Sequence, residues 1–119
     1  MMEWSIRSLL NPVITRLLIY GVNPIDVEFV VSTVERKKHL HARSLERSWV
    51  EEWEKKAEHY ELVGKEAEQK GHNLSAQDCF LYAAQCYYAI FLINLAELDE
   101  KKAMYLRYAD LYRKSLESW

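Results

Sequence analysis

Over residues 79–95 the sequence reads CFLYAAQCYYAIFLINL, in which Gln85 and Asn94 are the strongly polar positions. A helix with no polar face has to be wrapped by other elements. This segment therefore predicts a central core helix, and the rest of the chain must supply its cover. Three glycines and two prolines in 119 residues are too few for a collagen-like, linker-like or turn-dense all-β chain. A chain of this length can bury roughly two thirds of its unfolded surface, enough for one core without metal or disulfide staples. The expectation is an all-α fold, about five helices in a compact bundle.

The punctuation divides the chain. Asn11 before Pro12 predicts a helix start, with Asn as cap and Pro in the first turn, and Gly21 predicts its stop. Asn23 and Pro24 repeat the device, with Asp26 in the first turn and Lys37 and Lys38 near the far end, as the helix dipole prefers. Ile25, Val27, Phe29 and Val31 also alternate like a strand, but Val27, Val30, Val31 and Val34 fit the helical period and no second strand exists to pair with. Ser48-Trp49-Val50-Glu51 fits a capping box for a third helix that ends at Gly71. Ser75-Ala76-Gln77-Asp78 fits another, opening a fourth helix that runs to about Leu98. Asp99 is the expected cap of a fifth, whose Tyr105, Tyr108, Tyr112 and Trp119 form an aromatic stripe at helical spacing. The whole is one domain, with two shorter helices over residues 1–47 and a three-helix hairpin core over 48–119.

Charge excludes several partner classes. Sixteen Lys and Arg against 18 Asp and Glu give a net charge of −2, which lacks the clustered basic footprint of a nucleic-acid binder. Residues 36–47 are the local exception, with Arg36, Lys37, Lys38, Arg43 and Arg47 against Glu46, and they read as a solvated helix end or loop. The apolar stretch at 9–20 is interrupted by Asn11, Pro12, Thr15 and Arg16, so no run approaches the roughly 18 residues of a membrane span. Neither a clean apolar signal region nor a cleavage site is evident, so a cytoplasmic location is expected. Cys79 and Cys86, seven apart on one helix, would have Cα atoms about 10.5 Å apart, too far for a disulfide. They are expected as reduced, packed thiols with no metal role.

The most specific pattern lies between Tyr60 and Ala83. The third helix carries Trp53, Ala57, Tyr60, Gly64 and Ala67 on one face and Glu51–Lys55, Glu52–Lys56, Glu61–Lys65 and Glu66–Lys70 on the other, each pair worth about 0.2–0.5 kcal/mol. Ala76, Phe80 and Ala83 follow on the return helix. This large–small–large–small series is similar to a tetratricopeptide hairpin, because two helices approach closely only where side chains are small. Gly64 in mid-helix costs roughly 1 kcal/mol relative to Ala, which close approach of the partner helix would offset. Adding the roughly 34-residue repeat reaches Leu98 and Asp110, which do not continue the pattern, so a solenoid is not expected.

Catalytic patterns are missing. No serine is flanked by glycines in the Gly-x-Ser-x-Gly elbow, and Gly64 and Gly71 are a helical heptad apart rather than a phosphate loop. His59 and His72 have no nucleophile in a recognisable motif beside them and read as surface histidines. No cofactor and no metal site is expected. Tyr82, Tyr87 and Tyr88 are the candidate ligand-binding residues, since tyrosines bring a polar tip to an apolar wall. Four Trp and eight Tyr exceed what such a core must bury, so aromatic surface around Trp4, Trp49 and the C-terminal stripe is expected to mark an interface.

The run Trp49, Trp53, Ala57, Tyr60-Glu61, Gly64, Ala67, Gly71, Ser75-Ala76, Phe80-Leu81, Ala83-Ala84, Tyr87-Tyr88-Ala89, Lys102, Tyr105 and Tyr112 resembles the helical N-terminal segment of a group of α/β-hydrolases. The group includes dihydroxypseudooxynicotine hydrolase and the fungal pigment hydrolases that shorten polyketides. The resemblance implies a segment that packs on a catalytic domain, shapes its substrate pocket as a cap and contributes to dimer contacts. The Ser-His-Asp machinery of such hydrolases lies downstream and has no counterpart in this sequence. A non-catalytic cap or assembly module, with a hydrolase domain or a second copy as partner, is therefore expected. The alternative is a stand-alone adaptor that binds a peptide or helix in the groove of its tetratricopeptide-like hairpin.

Overall fold

The core helix is where its composition places it. In a computed structural model that describes residues 5–37, 42–93 and 98–117, five helices follow one another: α1 (Ile6–Ile19), α2 (Pro24–Arg36), α3 (Ala42–Gln69), α4 (Asn73–Leu92) and α5 (Leu98–Leu116). The fold is all-α. α4 is buried from several sides, with Ala76, Phe80, Ala83, Ala84, Cys86, Tyr87, Ala89 and Ile90 all enclosed. α3 and α5 pack along it, α1 touches it, and α2 lies on α3 and α1. The 28 residues of α3, about 42 Å at 1.5 Å per residue, set the long dimension of a 56 × 29 × 23 Å molecule.

Both glycine stops work through the same geometry. Gly71, at φ +77°, donates to Glu68 O at 3.1 Å, and His72 N donates to Ala67 O at 2.8 Å. This is the pair of bonds that satisfies the last carbonyls of a helix when the next residue is left-handed. α1 closes in the same way, with Val22 N donating to Leu17 O at 3.0 Å and both side chains buried. Within α3, Trp53 and Ala57 are fully enclosed and Gly64 is buried. A Cβ at Gly64 would lie 2.8 Å from Phe80 Cε1 and 3.2 Å from Cys79 Cβ, so the α3–α4 hairpin closes on the missing side chain. Ala76, Phe80 and Ala83 are buried, while Tyr60 and Ala67 are partly so.

Several sequence-derived boundaries are corrected. α1 begins at Ile6 rather than Pro12, because Ser5 Oγ caps it by accepting from Ser8 N at 3.0 Å. Pro12 sits inside α1, where it cannot donate to the Ser8 carbonyl, and the helix tolerates this on its exposed side. The Ser48 box and the division after residue 47 both fall inside α3, which starts at Ala42. α4 starts at Asn73, two residues before Ser75, and stops at Leu92 where Ile93 turns extended. α5 begins at Leu98, one residue before Asp99. Asn23 is confirmed as the cap of α2, accepting from Ile25 N at 2.9 Å.

Trp49 is not surface aromatic area. It is fully buried, its Nε1–H donates to Ala89 O at 2.9 Å, and its ring meets Trp53 edge-on at 5.8 Å. The four-residue step from Trp49 to Trp53 continues the inner face of α3, which the misplaced helix start concealed. Trp4 and Trp119 lie outside the described residues. The Glu52–Lys56 pair is also replaced: Glu52 is buried and binds Lys37 at 2.9 Å and Lys55 at 3.2 Å, while Lys56 reaches Asp26 at 3.1 Å.

Candidate functional site

α4 is not covered evenly. Leu81, Ala84, Gln85 and Tyr88 fall one helical turn apart on one stripe, and this stripe floors an open trough of about 370 Å³. One wall is the end of α1 and the turn after it. Gly21 allows the reversal there, and Gln85 Nε2–H donates to Gly21 O at 3.3 Å, which brings Tyr20 and Val22 to the rim. The other wall is α5, through Tyr108 and Tyr112. α5 is held in place on its opposite flank, where Arg107 donates to the Tyr87 hydroxyl at 3.1 Å and Lys114 stands 4.4 Å over the Phe80 ring.

Six aromatic rings form a connected chain along this face. Tyr20 meets Tyr88 edge-on at 5.2 Å, Tyr88 meets Tyr108 at 5.2 Å, and Tyr108 meets Tyr112 at 6.1 Å. Phe91 extends the chain to Tyr105 at 5.5 Å. Burial raises the phenols of Tyr88 and Tyr108, with neighbouring tyrosine hydroxyls adding to the effect. Both stay neutral across the physiological range. Among the described residues no charged side chain lines the trough, so what they offer there is apolar area with hydroxyl and amide tips, the composition of a recognition surface. Tyr20, Tyr105 and Tyr112 are 65%, 49% and 45% exposed.

The three tyrosines singled out in the sequence do not converge. Tyr88 lines the trough. Tyr82 packs on Tyr60 at 5.3 Å, toward α3. Tyr87 is buried against α5, and its phenol is pushed up to about 12 by burial and by Glu61, with Arg107 opposing. Steps of five and one residue on a helix turn these side chains to different sides. Tyr20 and Gln85 were missed because only the tertiary packing of α1 on α4 joins them to the stripe.

A second cluster lies between α2 and α3. The Tyr60 hydroxyl donates to Asp26 Oδ2 at 2.7 Å, Lys56 pairs with the other oxygen, and its ammonium stands 4.3 Å over Phe29. A hollow of about 400 Å³ opens here, lined by Phe29, Glu52, Lys55, Lys56, His59 and Tyr60. Burial and the Asp26 carboxylate raise the Tyr60 phenol above its usual range, and burial raises the Cys86 thiol. Burial opposes ionisation of Glu52, but the hydrogen bonds from Lys37 and Lys55 outweigh it and hold its carboxyl below the usual range. These groups neutralise one another and fasten α2 to α3. His59 is exposed beside the Tyr60 ring at 6.0 Å and His72 is the residue before α4. Neither imidazole is hydrogen-bonded to a serine or cysteine among the described residues. Among those residues, too, no three His, Cys, Asp or Glu side chains stand together as metal ligands, and no helix is long and apolar enough to cross a membrane.

Comparison of the chain with protein-family models, with curated proteins and with solved structures returns no match.

Proposed function

We propose that this chain is a non-catalytic helical module that works by contact, as a cap or assembly element of the kind its resemblance to the N-terminal segment of α/β-hydrolases implies. The observation that supports this reading most is the six-ring aromatic face over α4, α5 and the end of α1. Soluble domains scatter exposed apolar residues singly, whereas a contiguous aromatic patch marks a surface that another surface covers. The floor of the trough belongs to the core helix itself, so a docked partner would complete the wrapping that α4 needs. In a cap, the same face would close one side of a substrate pocket.

The test titrates an α/β-hydrolase catalytic domain lacking its own helical segment into the isotopically labelled chain. Shifts confined to Tyr20, Tyr88, Tyr108 and Tyr112, together with a change in the domain's ester selectivity, are the expected result. No binding and no change in selectivity would end the cap reading. The adaptor reading uses the same trough as a groove for a partner helix, and a helical peptide that binds there without any hydrolase would favour it. In either case the purified chain should leave generic esters intact.

A further inference from the structure

We infer that the hollow between α2 and α3 is a binding site for a small aromatic carboxylate, a ligand with one negative charge on a planar apolar body. The inference is independent of the cap reading, because this hollow and the tyrosine trough share no lining residue. Its frame is a stripe of α3. Glu52, Lys55, Lys56, His59 and Tyr60 are spaced three, one, three and one, so they fall on one side of the helix. Phe29 of α2 closes the other side of a space of about 400 Å³, within the roughly 300–1,000 Å³ of pockets that hold small molecules.

Charge selects the sign of the ligand. In the ion pairs that join α2 to α3, the three ammoniums of Lys37, Lys55 and Lys56 meet the two carboxylates of Asp26 and Glu52. Among the described residues this cluster therefore keeps one positive charge. The carboxylates are the occupied members. Asp26 is buried, accepts from Lys56 on one oxygen and from the Tyr60 hydroxyl on the other, and does not line the hollow. Glu52 is 6% exposed, and its Oε2 accepts from both Lys37 and Lys55. The ammoniums have donors to spare, since each carries three and Lys55 and Lys56 each give one to these carboxylates. Lys56 is also fixed in place, by Asp26 at 3.1 Å and by the Phe29 ring at 4.3 Å. A donor held in position before the ligand arrives costs less to engage. The rest of the lining selects the ligand's body. The rings of Phe29, His59 and Tyr60 and the lysine stems supply apolar wall, and Phe29 is 52% exposed. A carboxylate on Lys55 and Lys56 would lay its attached ring against Phe29, whereas a cation would meet two ammoniums and a bare anion would leave the rings wet.

Titration of benzoate into the isotopically labelled full chain at low salt, followed by amide shifts, tests this. Benzamide supplies the ring without the charge, and acetate the charge without the ring. Benzoate should bind saturably with a Kd of roughly 1 mM, with shifts centred on Phe29, Lys55, Lys56 and Tyr60. Benzamide and acetate should each bind about tenfold more weakly or not at all. Lys55→Gln and Phe29→Ala change exposed side chains, so circular dichroism should stay that of the wild type. Their benzoate affinities should fall about tenfold and about fivefold respectively. Benzoate that fails to saturate, or that shifts residues of the tyrosine trough instead, overturns the site. So does benzamide or acetate binding as tightly as benzoate, since charge and ring would then not be read together, and so does wild-type affinity in Lys55→Gln. The hydrolase titration is decided on other residues, so either site can fail while the other holds.

Discussion

A side chain at position 64 would collide with Phe80: the Cβ that Gly64 lacks would stand 2.8 Å from Phe80 Cε1, and Phe80 is itself 2% exposed and cannot swing aside. Two terms of opposite sign meet at this position. Replacing a mid-helix glycine by alanine gains about 1 kcal/mol of helix propensity, and overpacking a close helix contact costs about 1–3 kcal/mol. Gly64→Ala should therefore destabilise the chain by about 1 kcal/mol in urea denaturation, and Gly64→Leu by considerably more. Combining Gly64→Ala with Phe80→Leu should recover part of the loss. An unchanged or raised midpoint for Gly64→Ala alone would show that the hairpin is not closed on this residue.

The α2–α3 clasp predicts a different pattern. Asp26→Leu removes the acceptor of the Tyr60 hydroxyl and the counter-ion of the largely buried Lys56, and an uncompensated ammonium in that place costs about 2–4 kcal/mol. Adding Lys56→Met should return a good share of it, since the orphaned charge rather than the lost pair is the main penalty. Additive effects in chemical denaturation would argue against the pairing.

The parts of the fold that were legible in the sequence are those set by local chemistry. The wrapped α4, the Asn23-Pro24 cap, the glycine stops and the Gly64–Phe80 contact each follow from residues within a few turns of one another. What misled was a local motif with two readings. Asn11-Pro12 looks like Asn23-Pro24, but Ser5 supplies an earlier cap, and the Ser48 box is overridden because Leu45 and Trp49 already face the core. The site was half legible. Tyr88, Tyr108 and Tyr112 stood out as aromatic positions, whereas Tyr20 joins them across a separation that only the packed chain brings together.

Alkaline titration reports on the buried phenols. Tyr87 ionises ordinarily near 10 and is pushed up to about 12 in the folded chain, so the folded state holds its proton over that interval while the unfolded state gives it up. Its contribution to stability is complete below pH 10 and is lost as pH rises through 12. Thermal melts followed across this window should fall steadily. In Tyr87→Phe the fall should be shallower, because one proton-linked group is gone. An identical slope in the variant would mean that Tyr87 is not held neutral by its burial.

The two possible starts of α1 make opposite predictions for three exposed positions. If Ser5 is the cap, Ser5→Ala removes the acceptor for Ser8 N and costs about 1 kcal/mol, while Asn11→Ala is close to neutral or slightly stabilising. Pro12→Ala then restores a donor to the Ser8 carbonyl in a helix interior, where proline costs about 3 kcal/mol. Relief of part of that penalty should raise the denaturation midpoint by the equivalent of about 1–3 kcal/mol. If the helix started at Pro12, the signs would reverse: Asn11→Ala would be the costly change, Ser5→Ala would be silent, and Pro12→Ala would gain nothing, since a first-turn proline gives up no hydrogen bond. Val13 and Ile14 pack against the core in part and Leu10 and Leu17 are buried. Because Leu10 precedes Asn11 and lies on that same buried stripe, the helical register must extend upstream of the proline, which is why the Ser5 outcome is the one expected.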